Sequence, residues 1–208
     1  GSGLGPRGVW WVSLRGRGGG CDWVGGASGL VGCWGARRDR APFTDQWPDL
    51  DFATGYLVQD LNLAKRLERG ERLIGVKLGL TSRAKQQRMG IDSPFVAWLT
   101  DDMVLPTGAP VPQAQLIHPR IEPEIVLVMG ERLEGPGVTC AEAMAAVGSV
   151  YAGAEVIDSR YRDFRFKPGD VVADNASSGA FALGSVALPP AGLDLALEAV
   201  PVEVAGVV

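Results

Sequence analysis

The chain has 208 residues, with 20 Lys and Arg against 24 Asp and Glu, one His, three Cys and 46% hydrophobic residues. That is enough chain for one domain with a real core, and a net charge of −4 without clustered positive charge excludes nucleic acid as an expected partner. No run approaches the roughly 18 apolar residues of a membrane span and no apolar segment marks a signal peptide; the three cysteines, at 21, 33 and 140, lack the paired spacing of a disulfide framework or zinc site, so the expected location is the cytoplasm.

Residues 1–40 stand apart in composition. They hold 13 of the 29 glycines and four of the six tryptophans, contain no Lys or Glu, and carry +4, whereas residues 41–208 carry −8. No helical or alternating period runs through them, and such a segment does not offset its ordering entropy. The expectation is a disordered tail or an upstream stretch read in the wrong frame, with the domain confined to 41–208.

Leu50, Ala53, Leu57, Leu61 and Ala64 recur at steps of three and four, which predicts an amphipathic helical start over 48–70. Lys65, Arg66 and Arg69 in its last turn and Gly70 beyond suit a helix C-terminus, while Gly55 in the middle works against it. Leu73 to Leu80 reads as a strand, Thr81 to Met89 as a short polar helix ended by Gly90, and Met103 to Val111 as strand and turn. Thr139 and Glu142 have capping-box spacing at the head of a helix through about Val147. Strands are expected at 121–129, 151–157 and 180–187, and a last apolar strand, VPVEVAGVV, reaches Val208. Short strands, many Gly and Pro turns and few helices point to an α+β domain built on a strongly bent sheet or roll over 71–208.

Glu122 and Glu124 flank Pro123 at the head of the run Ile125-Val126-Leu127-Val128, so in a strand both carboxylates point to one face about 7 Å apart. At an effective dielectric near 20 their repulsion is about 2 kcal/mol, which a divalent cation between them relieves. Glu155 ends the apolar run Val150 to Ala154 and offers a third carboxylate. Three carboxylates completed by water suit octahedral Mg²⁺ or Mn²⁺ rather than zinc. A solvated strand face with two exposed acids remains the alternative on spacing alone.

Three segments carry a resemblance: Val76-Lys77-Leu78-Gly79-Leu80-Thr81-Ser82-Arg83-Ala84-Lys85; His118-Pro119-Arg120-Ile121-Glu122-Pro123-Glu124-Ile125; and Glu155-Val156-Ile157-Asp158-Ser159-Arg160-Tyr161 with Asp174-Asn175-Ala176-Ser177-Ser178. Over residues 41–208 the chain resembles the hydratase/decarboxylase family of aromatic meta-cleavage pathways, which comprises 2-oxopent-4-enoate hydratase and 4-oxalocrotonate decarboxylase. The resemblance implies a fumarylacetoacetate hydrolase-like mixed β-roll with a small N-terminal helical part and with the C-terminal portion of the roll missing. It implies that Glu122, Glu124 and Glu155 hold Mg²⁺ or Mn²⁺, which chelates the C1 carboxylate and 2-oxo oxygen of a 2-oxo acid as a Lewis acid. It makes Lys77 an active-site cation or proton carrier and places Ser177 and Asn175 at the site in a polar loop that hydrogen-bonds substrate; Lys77 and Ser177 are the catalytic candidates, and Arg160 and His118 join Asn175 as substrate-binding candidates on their own chemistry. It also implies a homo-oligomer, with the pathway hydratase as a further partner.

Other chemistries fit the sequence less well. His118 is the sole imidazole and no Gly-x-Ser-x-Gly elbow exists, which excludes a serine triad. His118 reads first as a structural or outer-layer residue that orients Glu122 or the substrate. No Gly-x-Gly-x-x-Gly joins a strand to a helix, so no nucleotide cofactor is expected. Loss of CO₂ from a vinylogous β-keto acid uses a metal as electron sink, so neither pyridoxal phosphate nor thiamine is expected. The expected reaction is decarboxylation of 2-oxo-3-hexenedioate to 2-hydroxypenta-2,4-dienoate. Hydratases resembling this chain read Pro-Asp-Phe-Gly where Pro94-Phe95-Val96-Ala97 stands, so hydration of 2-hydroxypentadienoate is the second reading. The far carboxylate of the diacid wants a cation, for which Arg160, Arg162, Arg165 and Lys167 are the candidates. A third reading is an inactive truncated homologue that serves as an interaction module through an unpaired strand edge.

Overall fold

The computed structural model of the chain describes residues 23–207. Five helices and five strands follow in the order α1 (Trp23–Ala36), α2 (Phe52–Glu68), β1 (Leu73–Gly79), α3 (Arg83–Met89), β2 (Phe95–Thr100), β3 (Arg120–Met129), α4 (Cys140–Ala145), β4 (Val147–Ile157), α5 (Pro168–Ala173) and β5 (Ser178–Leu183). The strands make two antiparallel sheets, one of β1 and β2 and one in the order β3-β4-β5. Helix and sheet are thus mixed, as expected of an α+β domain.

α2 begins where Asp51 accepts the Thr54 backbone N–H at 2.8 Å, so its first turn has a side-chain cap. Its inner face is partly polar. Buried Gln59 donates from Nε2 to the carbonyls of Val96 (3.0 Å) and Val172 (3.1 Å), and Asn62 donates to Ala173 at 3.2 Å. These bonds tie α2 to β2 and α5. A Cβ on Gly55 would lie 2.7 Å from the Gly169 carbonyl oxygen, so the glycine inside the helix is what lets α5 approach. Core packing follows the same seam: Leu30, Phe43, Leu50, Val58, Tyr161 and Ala173 form one cluster, and Phe95, Ala97, Val171, Val172 and Ala176 another. A third, Leu116, Val156 and Ala180, lies under the larger sheet.

Several expectations need correction. Residues 23–36 are helical and Leu30 is buried, so the disordered-tail reading of 1–40 fails for this stretch; residues 1–22 lie outside the described residues. The physical reason is close packing, since a Cβ on Gly26 would lie 3.3 Å from the Phe43 ring and one on Gly29 would lie 2.8 Å from Arg40. The Met103–Val111 strand is absent: Asp101–Met103 is a 3₁₀ turn and only Val104 bridges Phe181. The helix opened by Thr139 and Glu142 stops at Ala145, and Val147 already belongs to β4. The closing apolar run forms no strand over 200–207 beyond a bridge between Val204 and Val207. β2 and α5 were not expected. Among the described residues no helix is long and apolar enough to cross a membrane.

Candidate active site

The alternation of β3 places Glu122 and Glu124 on one face, and the pairing of β3 with β4 sets Glu122 directly opposite Glu155 and Glu124 opposite Gly153. A Cβ on that glycine would lie 2.5 Å from the Val126 side chain, so Val126 packs over it. One carboxylate oxygen from each of Glu122, Glu124 and Glu155 lies within 4.8 Å of the others. Glu155 is buried at 5% exposure, while Glu122 and Glu124 are partly exposed. At 4.8 Å two carboxylates repel by about 3 kcal/mol at an effective dielectric near 20, so three of them call for positive charge. Burial pushes the Glu124 carboxyl above the usual glutamate range, and the Glu155 and Glu122 charges add to that rise against the pull of Lys77 and Lys85.

Lys77 supplies one cation from the other sheet. The inward face of β1 carries its ammonium to both oxygens of Glu155, at 2.6 and 2.7 Å, and to the Ala176 carbonyl at 3.0 Å. Ala176 is held in place by an unusual turn in which Asn175, Ala176 and Ser177 all have positive φ, at 51°, 51° and 58°. Asn175 fixes this turn to β2, accepting the Trp98 N–H at 2.8 Å and donating to the Trp98 carbonyl at 2.9 Å. Ser177 is buried and its Oγ lacks a hydrogen-bond partner among the described residues. Lys77, Leu80, Glu122, Glu124 and Glu155 line one cleft of about 250 Å³, together with Thr81, Ser82 and Lys85.

The other sequence candidates have different surroundings. Arg160 is buried at 5% exposure. Its guanidinium is bonded to the Asp174 carboxylate at 2.5 Å, to the carbonyls of Asp158 and Ser178 at 2.8 Å each, and to the Asp174 carbonyl. Four of its five N–H donors are thus bonded inside the protein, and Arg160 does not line the carboxylate cleft. Burial raises the Asp174 carboxyl, and the Arg160 contacts oppose that rise. Arg162 pairs with Asp39 at 3.2 Å and Arg165 with Asp45 at 2.8 Å, both at the surface, and Lys167 is the N-cap residue of α5. None of these four lines the carboxylate cleft. His118 Nε2 lies 2.7 Å from the Ser159 carbonyl, its ring packs at a tilt against Phe164 with centroids 4.8 Å apart, and its backbone N–H donates to Asp158 at 2.8 Å. It holds the loop before β3 rather than facing the cleft. The burial of Asp158, Asp170 and Asp174 was not read from the sequence; partners as distant as Thr44 for Asp170 and Ile117 for Asp158 enclose them.

A comparison with protein-family models finds no match. The chain is 50% identical over 128 residues to a 4-oxalocrotonate decarboxylase of Pseudomonas sp, covering 62% of this chain and 50% of the relative. It is 42% identical over 160 residues to a 2-hydroxypent-2,4-dienoate hydratase of Pseudomonas putida, covering 76% of this chain and 72% of the relative. A solved 4-oxalocrotonate decarboxylase from Pseudomonas putida G7, complexed with magnesium and adipate, superimposes with a TM-score of 0.79 at 38% identity, covering 83% of this chain and 66% of that one. The chain spans about half the length of the decarboxylase relative. With 42% identity over 72% of the length of that hydratase, the chain belongs to the family of 4-oxalocrotonate decarboxylases and 2-keto-4-pentenoate hydratases.

Proposed function

We propose that the protein decarboxylates 2-oxo-3-hexenedioate to 2-hydroxypenta-2,4-dienoate with Mg²⁺ or Mn²⁺ held by Glu122, Glu124 and Glu155. The observation that carries this reading is the meeting of three carboxylates and the Lys77 ammonium in one cleft between the two sheets. The donor set fits the ion: it is all-oxygen with three carboxylates, and the Glu124 carboxyl is raised first by burial and then by the neighbouring Glu155 and Glu122 charges. When bound, the ion supplies Lewis acidity toward the 2-oxo acid end of the substrate.

The protein's own groups account for the rest. The C5–C6 bond of the substrate breaks, CO₂ leaves, and the electron pair moves through the C3=C4 bond to the oxygen on C2. The Lys77 ammonium, fixed beside the three carboxylates by Glu155 and Ala176, is placed to put a proton on that oxygen. The positive-φ turn at 175–177 orients the Ala176 carbonyl that holds Lys77, and the buried Ser177 next in sequence keeps an unpartnered Oγ. Asn175 acts here by fixing the turn.

Hydration of the dienoate is the second reading, supported by the hydratase relative of which the chain covers 72%. Pro94-Phe95-Val96-Ala97 carries no acid to pair with the water, which favours decarboxylation. The same proposal takes the two sheets as part of a fumarylacetoacetate hydrolase-like roll continued by further strands in the longer relatives. It also takes the protein as a cytoplasmic homo-oligomer that meets the pathway hydratase; exposed Ile74, Val76 and Leu78 on the outer face of β1 support association. The test supplies the Mg²⁺-loaded chain with 2-oxo-3-hexenedioate and, separately, 2-hydroxypenta-2,4-dienoate. CO₂ release from the diacid is the expected result. Consumption of the dienoate with no CO₂ from the diacid makes the protein a hydratase, and inertness toward both leaves the interaction module.

A further inference from the structure

We propose that Lys85 receives the far carboxylate of a dicarboxylate substrate and thereby selects diacids over monoacids. The inference rests on the binding of a 2-oxo acid at the three-glutamate centre. Two lysines line that cleft. Lys77 is committed, with both Glu155 oxygens and the Ala176 carbonyl as its partners. Lys85 is exposed on the first turn of α3, and its ammonium has no hydrogen bond or ion pair among the described residues.

The arginines that sequence reasoning offered for this task are occupied elsewhere: Arg160 in the interior, Arg162 and Arg165 in surface pairs with Asp39 and Asp45. A diacid anchored at one end near Lys77 and the glutamates therefore meets, within the same cleft, one uncommitted cation. Ser82 stands beside it as the N-cap residue of α3 with a hydroxyl that makes no capping bond, so a second donor is available to a carboxylate. A monoacid of the same length carries no charge at that end and gains no ion pair from Lys85.

The test measures dissociation constants of 2-oxoadipate and 2-oxohexanoate for the Mn²⁺-loaded chain by titration calorimetry, in the wild type, Lys85→Gln and Lys85→Arg, with circular dichroism confirming that the variants fold. The wild type is expected to favour 2-oxoadipate about tenfold, Lys85→Gln to lose that preference with 2-oxohexanoate affinity unchanged, and Lys85→Arg to keep it. Binding of both keto acids without a diacid preference, or a preference that survives Lys85→Gln, overturns the role of Lys85 while leaving the metal centre standing. Failure of the Mn²⁺-loaded wild type to bind either keto acid overturns the 2-oxo acid reading and this inference with it.

Discussion

Lys77 shows how one side chain links charge balance to chemistry. Its ammonium covers both oxygens of buried Glu155 and so neutralises one of three clustered carboxylates. A divalent cation at the same acids is repelled by that ammonium. Lys77→Met is therefore expected to raise Mn²⁺ affinity at least tenfold, read by electron paramagnetic resonance of free Mn²⁺, while decarboxylation is lost. Weaker Mn²⁺ binding in the variant contradicts this and makes Lys77 the support that orients Glu155. Lys77 has apolar neighbours on both sides in sequence, and only the resemblance marked it. Arg160 shows the opposite error. It stands near Glu155 in the chain, yet Asp174, fourteen positions on, draws it into the interior, a contact that sequence order does not reveal. Breaking such a buried pair costs about 3 to 5 kcal/mol, which suits a structural residue better than a substrate ligand.

Local structure followed the sequence where periodicity and caps agreed. α2, α3, α4, β1 and β3 lie where apolar spacing, Gly90 and the Thr139–Glu142 capping box predict them. α1 was hidden because its glycines suggest disorder when their packing partners, Phe43 and Arg40, are unknown. β2 was hidden because six residues after Pro94 give too short a pattern, and its burial comes from α5 and the turn at Asn175. The start of α2 offers a check on the local reading. The Thr54 N–H holds the Asp51 carboxyl below the usual aspartate range. A depressed folded-state pKa means that the cap stabilises fully above the ordinary aspartate value and is lost as pH falls through the lowered one. Asp51→Ala is expected to cost about 1 kcal/mol at neutral pH, measured as a shift of the urea midpoint, and to cost progressively less in acid. An equal loss at neutral and strongly acidic pH contradicts the cap.

The site itself belongs to the assembly of the two sheets. Glu122 and Glu124 sharing a face was legible from the period of two, but the third carboxylate depends on a register that pairs Glu122 with Glu155 across more than thirty intervening residues. Lys77 then arrives from a separate sheet. No local pattern encodes that meeting, and the family resemblance supplied what periodicity could not. These acids are proposed to hold a single hard dication. Titration of the 208-residue chain with Mn²⁺, followed by electron paramagnetic resonance, measures it directly, with Glu124→Gln as the comparison. One Mn²⁺ bound per chain, with affinity at least tenfold weaker in Glu124→Gln at unchanged folding, is the expected result. An unbound wild type, or equal affinity in the two proteins, contradicts it.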